Sequence, residues 1–191
     1  MPRIDAPTVA EHHSKQRTAL LEAGADLLAT RGVDAVTPAA VGAAAGLARS
    51  SVYQYFDSSP ALIAAIVEDA FPRATDELRA AVAKAAGPRE QVDAYVRTAL
   101  KMATDPAHRS LYALGRTELP SACRARLAEL HAEQHAPLRA ALGDLSVPDL
   151  DLTTRLVLGL LGAAVQSVMD GAAKNQVERR LLAVLHHGVS A

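Results

Sequence analysis

Between Arg49 and Tyr55, six of seven residues end in a hydrogen-bonding group: Arg49, Ser50, Ser51, Tyr53, Gln54 and Tyr55. The fork of an arginine pairs with guanine O6 and N7. Hydroxyls and amides suit phosphate oxygens and base edges. The chemistry implied is recognition of nucleic acid. Arg49 is the first choice for reading a base. Gln54 suits a base or a phosphate, and so does Tyr53. Ser51, Tyr55 and Thr37 read as phosphate donors, and Ser50 is exposed beside them.

The surrounding sequence supplies elements to hold these groups. Thr37 is placed to cap a short helix, Ala39 to Ala45, with Pro38 at its first position, where a missing N–H costs nothing. Gly46 ends that helix, because glycine readily takes the left-handed conformation of a helix terminus. Leu47 lies in the turn and is expected to point inward. A second helix, Arg49 to Phe56, follows. The small side chains of Ala40, Ala43, Ala44 and Ala45 let the two helices pack closely. Val41, Leu47, Val52 and Phe56 pin the pair onto a third helix. Two short helices crossing at a glycine-bearing turn make a helix-turn-helix, whose second helix enters the DNA major groove.

The run GLARSSVYQYFDSSPALIAAIVEDA resembles the TetR family of transcriptional regulators. The usual pattern there is Gly-Val-Ser, a variable residue, Gly-Thr-Leu-Tyr, a variable residue, Tyr-Phe, another variable residue, then Ser-Lys-Glu and an apolar helix. Gly46, Tyr53, Tyr55, Phe56, Ser58 and Leu62 match as they stand, and Leu47, Ser51 and Val52 are close replacements. Ala48 replaces the serine that usually caps the recognition helix, and Ser50 a common glycine. Ser59 and Pro60 stand where Lys-Glu is usual, so a typical phosphate-contacting lysine is missing. The motif is specific over residues 15–70, and beyond it the resemblance is one of architecture. It implies an all-α fold: a three-helix DNA-binding head joined to a helical-bundle body for ligand binding and dimerisation.

Composition agrees with helices and limits the rivals. Of 191 residues half are hydrophobic, but only six are Phe or Tyr and none is Trp. Alanine is abundant and β-branched runs are few, which favours helices over sheets. The single cysteine, Cys123, rules out an internal disulfide framework and suits a reducing, cytoplasmic setting. No stretch approaches ~18 uninterrupted apolar residues, so no membrane partner is expected. Net charge is −1, and between Gly32 and Pro72 the only cation is Arg49. That is thin for a DNA binder, since phosphate contacts normally supply most of the affinity. Neutral donors and helix N-termini also hold phosphates.

In chain order, residues 1–13 read as a disordered arm, from which Arg3, His12 and His13 can trail along DNA. Residues 14–58 read as the helix-turn-helix domain and 59–191 as the ligand-binding and dimerisation domain. Ser14 caps a first helix running to Arg31, with Leu20, Ala23, Leu27 and Leu28 inward and Lys15 and Arg17 near its start. Asp57-Ser58-Ser59-Pro60 starts a helix from Ala61 to about Ala85. Leu62, Ile63, Ile66, Val67 and Phe71 face inward, and Pro72 is a candidate kink. In the resembled family this helix links head to body. Further helices are expected from Arg89 to Thr104, from Asp105 to Gly115, from Leu119 to Leu142, from Leu152 to Gly171, and from Asn175 to His187.

From Leu156 to Met169 no residue is charged and apolar groups cover nearly every side. Such a helix is buried on more than one face, and it reads as too short for a membrane. Leu156, Leu160, Ala163, Ala164 and Val168, with Val177, Leu181, Val184 and Leu185 of the last helix, are the expected homodimer interface. A two-fold dimer places two recognition helices ~34–36 Å apart, on half-sites one DNA turn apart.

Candidates for an effector pocket, by residue type and helix phase, are Tyr95, Met102, Tyr112, Arg116, Cys123, His131, His135 and Gln166. His131 and His135 stand four apart, a metal-ligand spacing. HAEQH lacks the adjacent glutamate of HExxH, and no other ligand pair stands out, so no metal or cofactor is expected. No nucleophile elbow, phosphate-cradling glycine loop or paired-carboxylate constellation is present, so an enzyme is not expected. The functional expectation is a ligand-responsive repressor, a homodimer that binds a palindromic DNA operator and is released by a small molecule. The release comes from the resemblance. The alternative is a helical dimer that binds small molecules or proteins without reading DNA.

Overall fold

The computed structural model describes residues 9–105, 108 and 121–187. Among them the regular structure is entirely helical: α1 (Val9–Arg31), a 3-10 turn (Val33–Ala35), α2 (Pro38–Ala44), α3 (Arg49–Val52), α4 (Ser59–Ala83), α5 (Pro88–Met102), α6 (Ser121–Asp144), α7 (Leu150–Met169) and α8 (Lys174–His187). The all-α expectation holds. Tyr112, Arg116 and most of the short helix expected after Asp105 lie outside the described residues, as does Arg3.

Contacts gather the described residues into two compact units, 9–69 with 121–125, and 70–105 with 108 and 126–187. The head was expected to end at Ser58, whereas the first unit continues to Asp69. The reason is packing on α4: Leu62, Ile63, Ile66 and Val67 are all buried. A Cβ built on Gly24 of α1 would stand 2.5 Å from Ile66 Cδ1.

In the first unit, α1 supplies Leu20, Leu21, Leu27 and Leu28 to the core, and Val36 tucks in after the turn. The helix begins five residues before Ser14. Residues 9–13 hold no helix breaker, and Glu11 suits the positive end of the helix dipole. Residues 9–13 are therefore helical, not a disordered arm. At its other end Gly32 stops the chain with φ of 82°.

The second unit is built on Phe71, Ala74, Leu78 and Val82 of α4 and on Val92, Tyr95, Val96, Ala99, Leu100 and Met102 of α5. α6 adds Leu130, Leu138, Ala141 and Leu142, and α7 packs against both α5 and α8. Helix α4 continues through Pro72. Asp149 caps α7, its Oδ1 accepting from the Leu152 amide at 3.0 Å, with φ of 40°. That cap starts the helix two residues earlier than expected. At 20 residues, with a mean hydropathy of 1.5 over its most apolar 18, α7 does have the length and composition to cross a membrane, against the expectation of too short a span. Thr154, Val157, Leu161, Ala164, Val165 and Val168 are buried inside the unit instead.

Candidate nucleic-acid interface

Helix α2 starts as its sequence dictates. Thr37 takes extended backbone, its hydroxyl oxygen accepts from the Ala40 amide at 3.2 Å, and Pro38 follows. Gly46, with φ of 71°, turns the chain, and the Leu47 amide donates to the Gly42 carbonyl at 2.7 Å. The chain after α2 comes close at Gly42. A Cβ there would stand 2.9 Å from both the Leu47 oxygen and Val52 Cγ2. Ala43 and Ala44 are exposed, and Leu47 is only half-buried.

Recognition helix α3 is α-helical from Arg49 to Val52 and closes in a further turn, with Gln54 N–H donating to Ser51 at 3.1 Å and Phe56 N–H to Val52 at 3.0 Å. It is therefore shorter than the regular helix to Phe56 expected from sequence. Ala48 stands at its N-cap and offers no side-chain hydrogen bond, as its methyl group requires. Val52 and Phe56 are buried and anchor the helix.

Anchoring those two leaves the polar residues outward. Arg49, Ser50, Tyr53 and Gln54 are exposed and Ser51 is partly so, with Thr37 exposed at the start of α2. Tyr55 differs. It is half-buried, its hydroxyl donates to Gln16 Oε1 of α1, and its ring lies 4.4 Å from that of His13. The hydroxyl read as a phosphate donor is thus engaged inside the head, where it ties α1 to the end of the recognition helix. Gln16 gave no sequence signal, since a lone glutamine on an amphipathic helix looks like surface. Arg17 stands over Phe56, its guanidinium carbon 5.7 Å from the ring centroid, and Lys15 is exposed. Arg17 thus stands at the end of the recognition-helix segment and adds to the single charge of Arg49.

The effector candidates divide. Tyr95 and Met102 are core residues, 2% and 1% exposed, and the Tyr95 hydroxyl donates to the Gln134 carbonyl at 3.3 Å. Gln166 is half-buried and donates to Asp170 at 2.7 Å. His131 and His135 come together, rings stacked 5.5 Å apart, with the Phe71 ring edge-on to His131 at 4.9 Å. Burial pushes the pKa of His131 down, outweighing the favourable side chain of Gln134. Burial, then the neighbouring His131, lowers that of His135 to about 4. Nδ1 of His131 is buried without a hydrogen-bond partner. The pair is therefore a neutral polar spot in an apolar setting. No cluster of three or more metal-ligating residues occurs among the described residues.

On α7 the face away from the core is apolar and open. Leu152, Leu156 and Leu160 are 43%, 60% and 42% exposed, and Gly159 and Ala163 are exposed beside them. A groove of about 470 Å³ runs between α7 and α8, lined by Leu160, Ala163, Gln176, Val177, Leu181 and Val184 among others. Leu185 is half-buried. Val168 points into the unit, 7% exposed, because it continues the buried row of Val157, Leu161 and Ala164. Leu152, one turn before Leu156, belongs to the same open face.

The sequence model described as "Bacterial regulatory proteins, tetR family" matches residues 20–66, the span that holds the helix-turn-helix. No curated protein matches the chain in sequence. Solved structures share its fold over most of its length. The fatty acid degradation regulator FadR from Bacillus halodurans has a TM-score of 0.74 at 19% identity, covering 90% of this chain and 97% of that one. FadR from Bacillus subtilis, solved with stearoyl-CoA, gives 0.77 at 16%, covering 90% and 98%. The TetR family regulator PfmR from Thermus thermophilus gives 0.71 at 22%, covering 89% and 98%.

Proposed function

We propose that this chain, whose residues 20–66 carry the helix-turn-helix module of TetR-family transcriptional regulators, is a repressor that binds a palindromic operator as a homodimer and leaves it when a small molecule binds the body. The observation that carries the reading is the recognition helix itself. Val52 and Phe56 are buried, while Arg49, Ser50, Tyr53 and Gln54 stand outward. An ordinary core hairpin gives no reason for that display.

The domain boundary that fits the reading is a head of residues 14–58 whose core is completed by the first turns of α4. That helix starts among head residues and ends among body residues. It is the element through which an effector would act on DNA affinity, a coupling free energy between two sites. Dimerisation uses the open face of α7 and the groove beside α8, with Leu152, Leu156, Leu160, Ala163, Val177, Val184 and Leu185, while Ala164 and Leu181, as buried as Val168, only floor the groove. Gly159 and Gly162 are exposed with nothing against them, so a partner helix can approach closely. The effector meets the body near His131 and His135. Stearoyl-CoA in the Bacillus subtilis relative supports a ligand with a large apolar part. A cytoplasmic protein without enzymatic activity fits this role.

The test is selection of bound fragments from a random DNA library by the purified full chain at low salt, with its mass in solution measured in parallel. An enriched inverted repeat bound by a dimer is expected. The low positive charge of the head favours a second reading, a helical dimer that binds ligands without reading DNA. A dimer that enriches no sequence would establish that one instead.

A further inference from the structure

The inference concerns how the proposed DNA reader sets its specificity, and it rests on that reading. Arg49 Nη2 donates to the Tyr53 hydroxyl at 3.1 Å, and the guanidinium carbon lies 5.7 Å from the centroid of the Tyr53 ring. Four residues apart, the two share one face of the recognition helix. Both are exposed, so the contact is not forced by the core.

We propose that Tyr53 is a positioning residue, which holds the Arg49 fork for a guanine and is not itself a phosphate donor. Arg49 is the first residue of α3, and the N-terminal residues of a recognition helix are those that reach base edges. Its guanidinium has five N–H donors. Tyr53 takes one, and a guanine needs only two, at O6 and N7. An unrestrained arginine loses rotamer freedom when it is fixed on a base. Tyr53 imposes much of that restriction before DNA arrives, and its ring face attracts the cation at the same time. No other cation lies between Gly32 and Pro72. Base discrimination by a charged fork within the helix-turn-helix therefore falls on this one side chain, and its placement matters more than it would in a basic recognition helix.

Tyr53→Phe keeps the ring and removes the hydroxyl. The experiment takes the DNA site enriched by the full wild-type chain and measures affinity for every single-base variant of it. It compares wild type, Tyr53→Phe, Arg49→Ala and the double variant. Arg49→Ala is expected to flatten the preference at one G·C pair in each half-site. Tyr53→Phe is expected to reduce the preference at that same pair about threefold to tenfold, the net scale of one ordinary hydrogen bond between exposed groups. Other positions keep their preference, and the double variant matches Arg49→Ala. Equal loss on all variants would make Tyr53 a phosphate donor and overturn the proposal, as would no change at all or additive effects in the double variant. A wild-type chain that enriches no site takes down the DNA reading and this inference together. An enriched site that is indifferent to Tyr53→Phe takes down the inference alone.

Discussion

Gly42 lies so close to Leu47 that a single methyl group does not fit between them: a Cβ on Gly42 would stand 2.9 Å from the Leu47 carbonyl oxygen. The same pair is joined by the 2.7 Å bond from the Leu47 amide to the Gly42 carbonyl. The turn of the helix-turn-helix is therefore set by backbone against backbone, and neither side can move without shifting the recognition helix.

Gly42→Ala is expected to destabilise the first unit by about 1–3 kcal/mol, the usual cost of overpacking. Gly24→Ala is the control. Its Cβ meets side chains rather than backbone, Ile66 Cδ1 at 2.5 Å, Ile66 Cγ1 at 3.3 Å and Val41 Cγ2 at 3.7 Å, so a shift of the Ile66 side chain should absorb more of the strain than the turn at Gly42 can. Urea unfolding of both variants checks the order. Equal stability of the two would show that the turn yields more easily than its geometry implies.

Thr37→Ala removes the oxygen that accepts from the Ala40 amide and should cost about 1 kcal/mol. Thr37→Ser keeps the cap and should cost little. If Thr37 also donates to a phosphate, the alanine variant loses DNA affinity equally on every sequence, while the serine variant keeps it. Thermal unfolding and a binding series on the selected site separate the two contributions.

Acid should weaken the second unit through His131 and His135. An unfolded histidine takes up its proton near pH 6.5, whereas His135 in the fold does so only near about 4. Between those values the unfolded state binds more protons, so stability falls as pH falls and is complete above 6.5. The gap is worth about 3 kcal/mol, and the lowered pKa of His131 acts in the same direction. His135→Gln should be less stable than wild type at pH 7 but lose less on going to pH 5. A wild-type midpoint that does not move between pH 7 and 5 would mean that water reaches the pair.

Leu156→Glu and Leu160→Glu place charge on the open face of α7. Both side chains are largely exposed in the single chain, so folding should survive. Dimerisation should not, and sedimentation should report a monomer with unchanged helix content. DNA affinity would fall sharply, because one head reads only one half-site. A variant that stays dimeric would move the interface to another face.

The sequence alone was enough for the plan of the molecule, because that plan rests on local chemistry. Thr37-Pro38 and Gly46 act within a few residues of themselves, and the buried faces of α4 and α5 follow from the 3.6-residue period. The outward display of Arg49, Ser50, Tyr53 and Gln54 followed from the burial of Val52 and Phe56. What local pattern could not decide was which groups meet across distance. The Tyr55 hydroxyl finds Gln16, 39 residues away, and its ring finds His13, only once α1 has packed on the head. Phe71 meets His131 from another helix, and the lowered pKa values there come from burial, which no single segment sets. Val168 and Leu156 are both apolar residues of one helix, and only packing of α7 on α5 and α8 buries the first and leaves the second open. Periodicity assigns residues to faces, but the tertiary fold decides which face meets the core, because that depends on what the neighbouring helices cover.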